Sequence, residues 1–221
     1  MKADRPAFDR HLLLATAWIA IAGCALLLLG NLIGSIVVPQ YDWIADTVSD
    51  LAAGKFEIIQ DIALYAYAAS LVSCAIAAAH LHLDSRRWNV GIACLALLAM
   101  CVVIIGARNE YGDNDNEGVV IHIYLVYLLG LLFGVLFLSM ARGLGTVSNR
   151  YRAVSIGCAI LWIAGAPIFF FMPTGYDGLY ERALGLITLV WVMSFSSLLL
   201  SVARNGLVAE HEKRGSRHAI G

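Results

Sequence analysis

The stretch LLLATAWIAIAGCALLLLGNLIGSIVV, residues 12–38, decides the fold. It runs for 27 residues without a charge, where a helix needs roughly 20 mainly apolar residues to cross a hydrocarbon core of ~30 Å. A secretory leader has an apolar run of only about 7–15 residues and an A-x-A cleavage site. This stretch is longer and lacks that site, so it is expected to remain as the first membrane helix.

Working outward, five further apolar stretches qualify, at about 57–81, 88–106, 118–141, 152–172 and 179–203. Short polar connectors between them favour antiparallel neighbours in one bundle. Pro39 and Pro173 stand just past the ends of the first and fifth spans, where proline stops a helix. Pro167 lies inside the fifth and is expected to kink it. The whole composition agrees: of 221 residues, 60% are hydrophobic and 14% charged, with a mean hydropathy of +0.77. Soluble domains run at about 45–50% and about 25%. A water-soluble, disordered or collagen-like chain is excluded, and a net charge of −1 gives no footprint for nucleic acid. Cys24, Cys74, Cys94, Cys101 and Cys158 all sit in apolar runs with no C-x-x-C pair, so they read as small apolar residues rather than as disulfides or zinc ligands. The expected class is all-α: a polytopic six-transmembrane-helix bundle with a short interfacial helix in the first outer loop. Residues 1–204 form its single domain and 205–221 a mobile cytoplasmic tail.

Twelve of the fifteen Lys and Arg fall on the side of the N-terminus, the second and fourth loops and the C-terminus. Lys55, Arg108 and Arg182 fall on the other. The positive-inside rule then places both termini in the cytoplasm of a cell (inner) membrane protein. Eleven of the sixteen acidic residues lie outside, a skew that topology alone does not require.

Two G-x-x-x-G motifs, Gly30–Gly34 and Gly130–Gly134, offer flat stripes for close helix approach, expected within the bundle. Asn31, between the first pair, is expected to find an interhelical partner. In the first loop Ile44, Val48 and Leu51 recur at i, i+4 and i+7, the pattern of a short amphipathic helix in the interface plane, with Asp42 as its N-cap and Gly54 as its stop. Tyr41 and Trp43 suit the headgroup level. Glu57, Gln60 and Asp61 share one face at the start of the second span. In the third loop Asp113, Asp115, Glu117 and Gly118 match the first half of an EF-hand loop. Tyr124 stands where the pattern requires glutamate, so a solvated acidic turn is the default. His122, one turn into the fourth span, needs a hydrogen-bond partner there, either as a structural donor or as a proton acceptor or metal ligand beside Asp50, Asp61 or Asp113, though one histidine alone makes a poor metal site. Asp177 and Glu181 share a face of the sixth span. Arg182 and Arg108, outside against the charge bias, are expected to pair with the acidic cluster or to hold a lipid phosphate or carboxylate.

Thr47-Val48-Ser49-Asp50-Leu51, Gly118-x-x-x-His122 and Gly178-x-x-Glu181-Arg182, in this order and in a six-span context, carry a resemblance. The chain resembles the bacterial and archaeal membrane family called domain of unknown function 998, from the first span to Arg204. It departs at the end of the third span, with Arg108-Asn109-Glu110 in place of a proline and aspartate. The resemblance implies six membrane helices and no established activity. Ceramidase-like membrane hydrolases gather a serine, an aspartate and three histidines on zinc. Here Ser49, Asp50 and His122 can gather, but the other histidines lie on the wrong side.

The leading expectation is a protein that binds a lipid headgroup or small polar ligand at its outer face through Ser49, Asp50, Asp61, Arg108, His122, Glu181 and Arg182, with membrane lipids as partners and no cofactor or metal. The alternative is a lipid-modifying enzyme using His122 and an aspartate. A transporter is the weakest reading, because no ionisable residue lies at the bilayer midplane.

Overall fold

The structure, a computed structural model, describes residues 9–52, 54–84, 86–107 and 122–218, with side chains described as far as residue 205. All its elements are helices: α1 (Arg10–Val37), α2 (Val48–Leu51), α3 (Glu57–Leu81), α4 (Arg86–Ala107), α5 (His122–Val147), α6 (Asn149–Phe169) and α7 (Asp177–His218). Six of them are long and apolar enough to cross a membrane, α2 being the exception. The chain is a multi-pass helical membrane protein. α7 continues as helix through the charged stretch that composition sets apart as a tail.

Each spanning helix packs on its neighbours in the chain, and α7 closes the ring against α1 while also touching α3. Close approach of α1 and α3 begins at Gly23, where any Cβ would overlap the Ser70 hydroxyl and the Ala66 carbonyl of α3. Ser70, wholly buried, uses that proximity to donate to the Ala20 carbonyl at 3.0 Å. Gly30 faces the Ala63 Cβ in the same seam, and Gly34 meets the Leu51 side chain of α2 at 3.4 Å. The first G-x-x-x-G motif therefore packs within the bundle. The second does not act alike: a Cβ on Gly130 would meet nothing within 4 Å, and one on Gly134 would make only ordinary contact with Trp162 and Ile163. A stripe of small residues gives closeness only where a partner is presented to it, and α6 meets Gly130 through the Trp162 indole at its carbonyl, away from the position a Cβ would take.

Towards the end of the bundle that holds the α1 N-terminus, the ring is filled by aromatic rings. Trp191 stacks on Phe195 at 5.5 Å, and Phe137 lies 5.8 Å from Trp191. Phe133 joins them through Phe137 at 5.6 Å and Trp162 at 5.1 Å. Each buried indole N–H has an acceptor, as apolar surroundings demand: Trp162 donates to the Gly130 carbonyl, Trp191 to Ser155 Oγ, and Trp88 to the Ala78 carbonyl.

Candidate functional site

At the α2 end of the ring the first loop folds inward. The expected amphipathic helix over 42–54 is not formed as one piece. Asp42 instead caps a turn, its Oδ1 accepting from the Ile44 and Ala45 amides at 2.9 and 3.4 Å. The helix begins only at Val48, with Thr47 as N-cap. Thr47 and Asp50 make a capping box: Asp50 Oδ2 accepts from the Thr47 amide at 2.7 Å and from its hydroxyl at 2.8 Å, and Thr47 Oγ1 accepts from the Asp50 amide. Local side-chain bonds here outweigh the helical periodicity of the apolar residues. Gly54 does close the segment, at φ +81°, where a side chain would be strained.

The start of α7 grips this loop. A Cβ on Gly178 would overlap the Asp46 carbonyl, so glycine lets the two backbones touch. The Gly178 and Leu179 amides donate to the Ala45 and Ile44 carbonyls at 3.3 and 2.9 Å. These are helix N-terminal donors with no backbone acceptor inside α7, and the Gly178 amide also reaches Asp177 Oδ1 at 3.1 Å. Glu181 Oε2 accepts from the Val48 amide at 2.7 Å. Arg182 Nη1 donates to the Trp43 and Asp46 carbonyls at 3.1 and 3.0 Å, and Nη2 donates to the Tyr41 hydroxyl. Its guanidinium lies 5.5 Å from the Tyr41 ring and 5.1 Å from that of Trp43, within cation–π range. Burial pushes the Tyr41 phenol up to about 12, with the Arg182 hydrogen bond pulling the other way. The phenol is therefore neutral at pH 7, and its hydrogen bonds go to the Thr47 and Asp46 carbonyls. Among the described residues, the partners of the Arg182 guanidinium are loop carbonyls, the Tyr41 hydroxyl and two aromatic faces.

Behind this latch lies a hollow of about 730 Å³. Its mouth carries Ser49, Asp50, His122, Asp177, Glu181 and Arg182. Its walls are apolar, including Leu27, Leu64, Val102, Val126 and Leu189, and its floor is Phe133 and Trp162 of the aromatic layer, with the Tyr67–Thr188 hydrogen bond of 2.8 Å beside them. From His122 to Phe133 along α5 the depth is about 16 Å at 1.5 Å per residue, roughly half the hydrocarbon core. Ser49 Oγ and His122 Nε2 are 3.3 Å apart across the mouth.

Ser49, Asp50, His122, Glu181 and Arg182 therefore come together. Asp61 is buried in α3, 9% exposed, and is not among the residues of the wall. Arg108 and the acidic third loop lie outside the described residues. Asn31 does line the hollow, but its amide donates at 3.1 Å to the Leu27 carbonyl of its own helix rather than to a neighbour. Its Oδ1 is buried and takes no donor. Among the described residues no neighbouring helix presents a donor to it. The sequence reading also passed over Tyr41, Trp43 and Gly178 as site-building residues. The aromatic pair two residues apart, within one loop, was the available signal.

The molecule defined by this fold and site is a six-span helical membrane protein with an apolar hollow closed at one end and polar at the other. Residues 21–198 match the family described as "Protein of unknown function (DUF998)", and the chain belongs to that family. No curated protein and no solved structure matches the chain significantly.

Proposed function

We propose that this protein binds an amphiphilic lipid, with its apolar tail in the hollow and its headgroup at the polar mouth, in a cell membrane with both termini cytoplasmic. The hollow itself carries the reading: a volume of about 730 Å³ falls within the roughly 300–1,000 Å³ typical of ligand sites. Its polarity runs from a charged rim to an aromatic floor, the profile of an amphiphile. The twelve-to-three division of Lys and Arg supports the orientation. Gly130 supplies the test, because it lines the hollow and a Cβ there meets nothing within 4 Å. Gly130→Leu is expected to fold with an unchanged melting temperature and to lose the lipid mass that native mass spectrometry detects on the wild type. A wild type carrying no lipid, or a variant carrying as much, rejects the proposal.

The Ser49–His122 contact favours a second reading, lipid modification. A hydroxyl within hydrogen-bond reach of an imidazole is the arrangement of a nucleophile and its base. Ser49 Oγ would attack a lipid ester carbonyl as His122 takes its proton. The alcohol would leave with that proton, and water would then release the fatty acid. Fatty-acid release from an oleoyl glyceride by the purified protein, lost in both Ser49→Ala and His122→Gln, is the expected result. Release surviving in either variant rejects the reading.

A further inference from the structure

Resting on the lipid-binding proposal, we infer that the headgroup taken at the mouth is uncharged and bears hydroxyls, as in the glyceride and polyol class, and is not a phosphate, a carboxylate or an amine. Among the described residues, two that line the hollow each carry a buried polar atom without a partner: Asn31 Oδ1, an acceptor, and Arg182 Nε, a donor. They lie at similar depth on adjacent helices, about 9 Å from the end of α1 and about 8 Å from the start of α7 at 1.5 Å per residue. A buried group left unpaired carries its full desolvation cost, so a fitting ligand is one that satisfies both. A hydroxyl is donor and acceptor at once. An ammonium has no acceptor for Arg182 and would place a cation beside a guanidinium. A phosphate or carboxylate has no proton for Asn31 and meets like charge.

The charge at the mouth decides against anions. Asp50, Asp177 and Glu181 face one guanidinium among the described wall residues. Two of the three N–H donors that Arg182 directs at the first loop are spent on backbone carbonyls and the third on Tyr41. At the level of sequence, the same end of the bundle holds eleven acidic residues against three basic ones. A field of that sign repels anionic headgroups as they approach. Glu181, Asp50, Ser49 and His122 together offer acceptors to further hydroxyl protons.

The experiment uses three probes that share one eighteen-carbon monounsaturated chain: monooleoylglycerol, the phosphate ester oleyl phosphate, and oleylamine. The full-length protein in detergent is offered them in equal amounts and the bound masses are read by native mass spectrometry. Monooleoylglycerol is expected to be retained at least about tenfold over the other two, the ratio one satisfied buried hydrogen bond supplies. Asn31→Leu, which breaks no interhelical bond, is expected to reduce that preference severalfold without changing the melting temperature. Preferential retention of the phosphate ester or the amine overturns the headgroup assignment while leaving the hollow a lipid site. A preference unaltered in Asn31→Leu overturns it likewise. Retention of none of the three, or equal retention in Gly130→Leu, removes the lipid site itself.

Discussion

Gly23→Ala is expected to cost about 3 kcal/mol of stability, the upper part of the range for overpacking a tight interior, and Gly23→Leu to yield no folded protein. A methyl group at this position would overlap both the Ser70 hydroxyl and the Ala66 carbonyl. Ser70 can rotate away only by giving up its bond to the Ala20 carbonyl. The Ala66 oxygen belongs to the α3 backbone and moves only with the helix, so α1 and α3 must separate along the seam that Gly30 continues. Without the strong hydrophobic drive that water supplies, membrane helices depend on such packing. Gly185→Ala is the matched control, since open space surrounds it. Alanine there is expected to be neutral or to add up to about 1 kcal/mol through helix propensity. Melting curves of the three variants in detergent check this, and equal loss in Gly23→Ala and Gly185→Ala would refute the packing argument.

Arg182→Ala is expected to free the first loop from α7. It strips donors from the Trp43 and Asp46 carbonyls and from Tyr41, and removes the cation between two aromatic rings. A loss of about 2–4 kcal/mol follows at roughly 1.5–3 kcal/mol per charged hydrogen bond, partly offset by water reaching the exposed carbonyls. Arg182→Lys is expected to recover little, because an ammonium lacks the planar fork that reaches three acceptors and stacks. Hydrogen–deuterium exchange is the decisive readout. Amides of residues 44–52 should exchange faster in the variant while those of α4 and the middle of α6 stay protected. Unchanged exchange over 44–52 would show that Glu181 and the capping box hold the loop unaided.

The three short motifs that linked this chain to its family acquire a physical meaning from these contacts. Thr47 and Asp50 form the capping box, Gly178 admits the loop backbone, and Glu181 and Arg182 hold the loop by its amide and carbonyl groups. His122 meets Ser49 across the mouth. Much of the charge that sequence reasoning assigned to ligand recognition is therefore committed to holding the loop, whereas Asn31, which the same reasoning gave to helix packing, lines the hollow and bonds within its own helix. That exchange of roles follows from geometry. Spacing along a helix shows which residues share a face but not what the face meets.

The number and approximate limits of the membrane helices, and the gathering of Ser49, Asp50, His122, Glu181 and Arg182 at one end, were determined by the sequence alone, because apolar length and position along a span are local properties. The shape of the ring was decided only in three dimensions. Large rings on α5, α6 and α7 fill one half, while Gly130 and Gly185 leave the other half open, and the first loop folds over that opening because the start of α7 offers it free amides, a glycine and a guanidinium. Each of those depends on which helix faces meet. That is set by close contact between residues more than a hundred positions apart, which no periodicity records.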